Sequence, residues 1–143
     1  MSFDLKIANN DLILNADGDI NIVTNNDKLR QDILKILITN IGTNRFHPWY
    51  GSAITKKSIG QVADQKFNEL QMTSSVQQSI ENLMKLQKRQ QQSGQVVSAA
   101  ELIIAINNVF VERDKIEPRQ YNIVVSILTG ALTTINQTFT LRL

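Results

Sequence analysis

Apolar residues recur at every second position along the C-terminal part of the chain, and this restricts the fold more than any other feature. Tyr121, Ile123, Val125 and Ile127 stand two apart, and Ile135, Phe139, Leu141 and Leu143 alternate with Thr134, Asn136, Thr138, Thr140 and Arg142. Successive side chains of a strand point to opposite faces, so each run predicts a strand with one buried face. Leu102 to Arg113 is apolar on both faces and reads as a covered strand. Asp114 to Pro118 and Thr129-Gly130-Ala131 supply credible hairpin loops, and Ser98-x-x-Glu101 caps a turn ahead of the first strand. Residues 98–143 are therefore expected to form an antiparallel three-strand meander. The one-sided polarity of the last strand, residues 133–143, suits an outer position, where an open edge invites pairing with another chain.

Two further segments precede it. In residues 1–24, Phe3, Leu5 and Ile7 alternate with polar residues, Leu12 and Leu14 follow Asn9-Asn10-Asp11, and Ile20 and Ile22 follow Asp17-Gly18-Asp19. This predicts a small β-meander with one wet face, marginal alone and in need of a larger body to pack on. Residues 27–92 read as three helices. The first spans about Asp27 to Thr39, capped by Asn26 or Thr24, with Leu29, Ile33, Ile36 and Leu37 on its apolar face. Gly42 is placed to end it in the left-handed conformation. Ala63, Phe67 and Leu70 mark a second helix. A third begins at Ser74 with Gln77 as its capping-box partner, and buries Val76, Ile80, Leu83 and Met84. The fold class is α+β in a single domain over residues 1–143, with no internal repeat.

Between the first two helices lies a loop, residues 42–51, that concentrates one Arg, three aromatics, a proline and the only histidine in a chain with 6% aromatic residues. Such a loop has a fixed shape and something to touch. Phe46 is expected to plug the core. Trp49 and Tyr50 are expected to be partly exposed anchors, since Trp, Tyr and Arg dominate binding hot spots. Arg45 suits either stacking on Trp49 or Tyr50, or a fork to a partner's carboxylate.

Chemistry is harder to find. The absence of cysteine excludes disulfides and thiolate catalysis and suggests folding in a reducing cytoplasm. The N-terminus does not read as a secretory signal, and no apolar run approaches a membrane span. A net charge of +2 does not argue for nucleic acid. One histidine rules out two-His metal motifs, and no phosphate loop or nucleophile elbow is present. A glycosidase needs two carboxylates flanking a cleft. Glu101, Glu112, Asp114 and Glu117 are the acids most available, and all fall at a cap or near a hairpin turn. The expectation is a chain that is not an enzyme, with no catalytic, cofactor or metal site.

Leu37-x-Thr39-x-x-Gly42-x-x-Arg45-Phe46-x-Pro48-x-Tyr50-Gly51, after an apolar helix and before two more helices and a three-strand meander, resembles the gene 25-like family. These are the baseplate-wedge proteins, or sheath initiators, of contractile phage tails and related injection machines. The resemblance implies a structural loop built on Thr39, Gly42, Phe46, Pro48 and Gly51, and a C-terminal sheet like that of the sheath subunit. It implies a virion protein of the tail baseplate, assembled in the host cytoplasm in several copies around the hub. Its implied partners are the sheath protein, other wedge proteins and hub or tube proteins, with no nucleic acid and no membrane. The first sheath ring would dock by strand exchange, with Phe139 and Leu141 setting register. The Glu-Pro-Arg triplet frequent in the family does not correspond to Glu117-Pro118-Arg119, which sits one hairpin too late. Lys88 and Arg89 occupy its place and inherit the partner-binding role. A lysozyme-like tail enzyme and a cytoplasmic adaptor of similar fold are the alternatives.

Overall fold

The computed structural model describes residues 2–58 and 64–142, so Ala63 and Leu143 lie outside the described residues. Strands β1 (Phe3–Leu5), β2 (Ile7–Ala8), β3 (Asp11–Leu12) and β4 (Ile22–Thr24) form two small pairs, β1 with β4 and β2 with β3. Helices α1 (Asn25–Ile38), α2 (Ile54–Ser58) and α3 (Gln65–Gln92) follow. Strands β5 (Ile103–Arg113), β6 (Gln120–Thr129) and β7 (Thr134–Arg142) close the chain as an antiparallel sheet in the order β5-β6-β7. This is the expected α+β architecture, with β7 at an edge.

The core is a sandwich of two helices on one sheet face. Leu29, Ile33, Ile36 and Leu37 of α1 meet Met72, Val76, Ile80 and Leu83 of α3 over Tyr121, Ile123, Val125 and Ile127 of β6. The spacing of these residues, i, i+4, i+7 and i+8 in α1, i, i+4, i+8 and i+11 in α3 and every second residue in the strand, puts each set on one face. Ile135 completes the floor, while Phe139 and Leu141 pack at its margin.

Three local expectations change. The predicted second and third helices are one, the 28-residue α3. Ser74 and Gln77 are interior to it. Thr73 and Ser79 satisfy their hydroxyls on the carbonyls four residues back, at 2.7 and 2.8 Å, so polar residues sit mid-helix without ending it. Phe67 and Leu70 are exposed, not part of a buried stripe. The first helix stops at Thr39, whose backbone turns extended and whose N–H and hydroxyl both bond the Lys35 carbonyl. Gly42 does take a positive φ of 86°, but three residues beyond that stop. Finally, β5 is covered on one face only: Ile104 and Phe110 lie exposed on the other.

The meander also packs opposite to its pattern. Phe3, Leu5, Ile7, Leu12, Leu14, Ile20 and Ile22 all face outward. The side turned to α1 carries Asp4 and Val23, and Gln31 bonds both the Asp4 carboxylate and the Leu5 carbonyl. Polar bonds from Asp4 and Gln31, with Val23 buried beside them, fix this unit to the body.

Candidate functional site

The loop after α1 is tied at many points. Asn44 accepts the N–H groups of Phe46 and His47 at 3.0 and 3.1 Å, and Gly42 N–H reaches the Pro48 carbonyl at 3.0 Å. Ser52 donates its N–H to Thr39 and its hydroxyl to the Leu37 carbonyl, welding the returning chain to the end of α1. Gly51 makes this approach possible. Its φ is 122°, and a β-carbon there would lie 2.6 Å from the Thr39 carbonyl oxygen. Thr39, Gly42, Pro48 and Gly51 therefore shape one closed loop.

What that loop presents differs from the expectation. Phe46 is 89% exposed at its tip and plugs no core. The Asn44-centred turn aims the residue outward, and the aromatic that reaches the core is Tyr50, packed half-buried against it. Trp49 is half-buried too, with its ring tilted 5.6 Å from His47 and edge-on to Tyr50 at 6.2 Å. The cation over Trp49 is Arg89 from the last turns of α3, 5.7 Å from the ring centroid, and not Arg45, which is exposed. Lys88 is exposed beside it on the same helix. Nothing in the local sequence links Arg89 to Trp49; only the packing of α3 against the loop brings them together.

Below Tyr50 opens a cleft of about 610 Å³, lined by Asp4, Lys28, Asp32, Lys35 and Tyr50 on one side and by Leu83, Gln87 and Gln90 of α3 on the other. Lys35 bridges Asp4 and Asp32, the second at 3.2 Å, and Lys28 bonds Asp32 at 2.7 Å. Burial pushes the Asp4 carboxyl up, but the Lys35 ammonium and Gln31 amide outweigh it and hold the group below the usual carboxylate value. Burial pulls Lys35 down, and its two carboxylate partners override that and raise it. Burial raises the Tyr50 phenol. These charged residues escaped the sequence analysis, since i, i+3 and i, i+4 spacing along α1 reads as an ordinary solvated face.

The acids weighed from sequence go elsewhere. Glu101 is buried and accepts the backbone N–H of Asn25 at 3.2 Å and of Ser98 at 3.3 Å, capping α1 from another element. Glu112 is exposed on the outer sheet face. Asp114 accepts the N–H groups of Glu117 and Ile116, which hold its carboxyl low. Glu117 pairs with Arg142 at 2.6 Å. Among the described residues no group of three or more His, Cys, Asp or Glu could hold a metal ion, and no helix is long and apolar enough to cross a membrane.

The two sheet edges are unequal. On β5, Gln87 and Glu69 of α3 accept the N–H groups of Ile103 and Arg113 at 2.9 and 3.2 Å, so a helix runs along that edge. On β7, Arg30 donates to the Asn136 carbonyl at 2.8 Å. Residues along a strand alternate in the side to which their backbone groups point. Thr138, Thr140 and Arg142 therefore turn theirs outward with Asn136. Phe139 and Leu141 instead lie over Ile123 and Tyr121 on the core face.

No family model and no curated protein sequence matches this chain. A solved structure does. It is a proposed tail lysozyme of Geobacter sulfurreducens, with a TM-score of 0.60 over 82% of this chain and 89% of that one, at 14% identity. The fold is shared. This likeness corrects one expectation: a chain of the same fold is described as a lysozyme, so the exclusion of enzymatic activity read from the sequence does not stand. At 14% identity the likeness is one of fold, and it carries no catalytic residue across.

Proposed function

We propose that this chain is a component of a contractile tail baseplate that joins the wedge to the first sheath ring and nucleates sheath assembly by strand exchange at β7. The observation that carries this reading is the asymmetry of the sheet: α3 runs along the β5 edge, and among the described residues no strand pairs with Thr138, Thr140 and Arg142 on the β7 edge. An open edge supplies main-chain hydrogen bonds to an incoming strand. The fold it shares with a protein described as belonging to a tail supports the same setting. Arg45, Phe46 and Lys88, exposed around the rigid loop, are the contacts assigned to other wedge proteins, with Trp49, Tyr50 and Arg89 fixing the surface they stand on. Several copies would ring the hub.

The test is co-purification with the sheath and wedge proteins of the same gene cluster. Thr138→Pro removes one outward N–H and blocks a ladder while an edge strand tolerates the ring. Capture of sheath by wild type and its loss in Thr138→Pro supports the reading; equal capture by both overturns it.

The description of the Geobacter protein favours a second reading, cleavage of peptidoglycan, for which Asp4 and Asp32 are the carboxylates facing the cleft. Release of soluble fragments from purified cell-wall sacculi, abolished by Asp32→Asn, is its signature. Sacculi left intact by wild type remove it.

A further inference from the structure

Where β7 passes Asn136 and Gln137, a groove of about 320 Å³ opens between Gln137 and Lys6 and Ile7 of the meander, with Asp27, Arg30 and Leu34 of α1 beneath. Arg30, Leu34 and Ile38 stand at i, i+4 and i+8, so they form one stripe on α1. Leu34 is exposed and Ile38 is 61% exposed, although both belong to the helix that carries the core. A helix buries such residues when a neighbour is available, and here the neighbouring sheet ends one strand short.

Arg30 is half used. One terminal nitrogen donates to the Asn136 carbonyl at 2.8 Å and to the Gln137 side chain at 3.0 Å. Among the described residues no carboxylate lies within ion-pair distance of its guanidinium, nor of the Lys6 ammonium across the groove. Two cations against one acid, Asp27, leave the groove with an excess of positive charge.

We infer that this groove is the seat of the strand that adds to β7, and that it selects an extended partner segment carrying an aliphatic side chain and a carboxylate two residues apart. A fourth strand beside β7 would continue the inner sheet face, so its inward side chains fall on the α1 stripe. The aliphatic one covers Leu34. The next inward side chain, one strand repeat away, meets the unused donors of Arg30, a fork suited to a carboxylate. The Asn136 carbonyl, taken by Arg30, marks where pairing stops. The inference rests on the reading of β7 as an augmented edge, and it adds what that edge recognises.

The experiment measures the affinity of the full chain for the sheath subunit of its own gene cluster, for wild type, Arg30→Glu, Arg30→Lys, Leu34→Asn and Thr138→Pro. Matching thermal melts establish that each variant is folded. The expected pattern is a loss of at least about tenfold for Arg30→Glu and Leu34→Asn, an intermediate loss for Arg30→Lys, and abolition by Thr138→Pro. Loss confined to Thr138→Pro overturns the groove inference and leaves strand addition standing. Undiminished binding by Thr138→Pro, or none by wild type, overturns both. A variant that melts early is replaced by Leu34→Gln, with the same readings.

Discussion

The N-terminal meander and the C-terminal sheet carry the same period-two pattern and use it in opposite ways. In the sheet, Tyr121, Ile123, Val125 and Ile127 are buried under α1 and α3. In the meander, Leu5, Ile7, Ile20 and Ile22 face outward, and the unit is held by Asp4, Gln31 and Lys35. Alternation shows that a strand has an apolar face but not what covers it. Covering the sheet took two helices of matching stripe. The meander offers strands of only two or three residues, too short to cover an apolar face, and Leu34 and Ile38 of α1 stay exposed like its own apolar residues.

The sharpest attack on this comparison is a pair of truncations. Ile123→Ala opens a cavity in a fully buried site and is expected to cost about 2–5 kcal/mol, whereas Ile22→Ala stays within about 0.5 kcal/mol. Urea denaturation of both variants measures this, and similar losses would break the comparison. Next in size is Gly51→Ala, expected to cost about 1–3 kcal/mol because the new methyl meets the Thr39 carbonyl in a strained conformation. Gly18 has a φ of 86° but nothing within 4 Å, so Gly18→Ala in the meander is expected to cost less, about 1 kcal/mol. Equal losses would show that the loop is no better packed than a surface turn.

The polar tether predicts a pH dependence. The Asp4 carboxyl is lowered on folding, so its contribution is present above the ordinary carboxylate value and lost as pH falls through the lowered one. Lys35 is raised, so its contribution is present below the ordinary lysine value and lost as pH rises through the raised one. Between those limits Asp4→Asn is expected to cost roughly 1 kcal/mol, since both partners are partly exposed and solvent screens the pair. The difference between wild type and variant, followed by denaturant titration, should shrink at the acid end. A difference unchanged at acid pH would remove the tether. The smallest effect is expected at the loop surface. Arg89→Met loses the contact over Trp49, worth about 0.5–1 kcal/mol, and alters tryptophan fluorescence, while Arg45→Met changes neither.

Much of the candidate surface was legible, and for identifiable reasons. Gly and Pro in the 42–51 loop act through their own backbone and Asn44 through a side chain bonded two and three residues on, so its closed shape could be expected from their order. Phe46 was expected in the core and stands at the tip of the loop instead, because an aromatic beside Pro and Gly plugs a core or protrudes with equal ease. Its direction was set by the Asn44 hydrogen bonds. Arg89 over Trp49 joins residues 40 positions apart, and no local rule connects them. The cleft with Asp4, Asp32 and Lys35 stayed hidden because one of its walls belongs to another segment.

By itself the sequence determined the α+β class, the four-residue core stripe of α1, the alternating floor of β6 and the edge character of β7, all properties of spacing along one element. Only the tertiary structure decided that α3 runs unbroken, that the meander turns its apolar face outward, and that one sheet edge is flanked by a helix while the other is open. Each of those depends on which surface a neighbour covers. That is a sum of contacts between distant segments, and no window of the chain contains it.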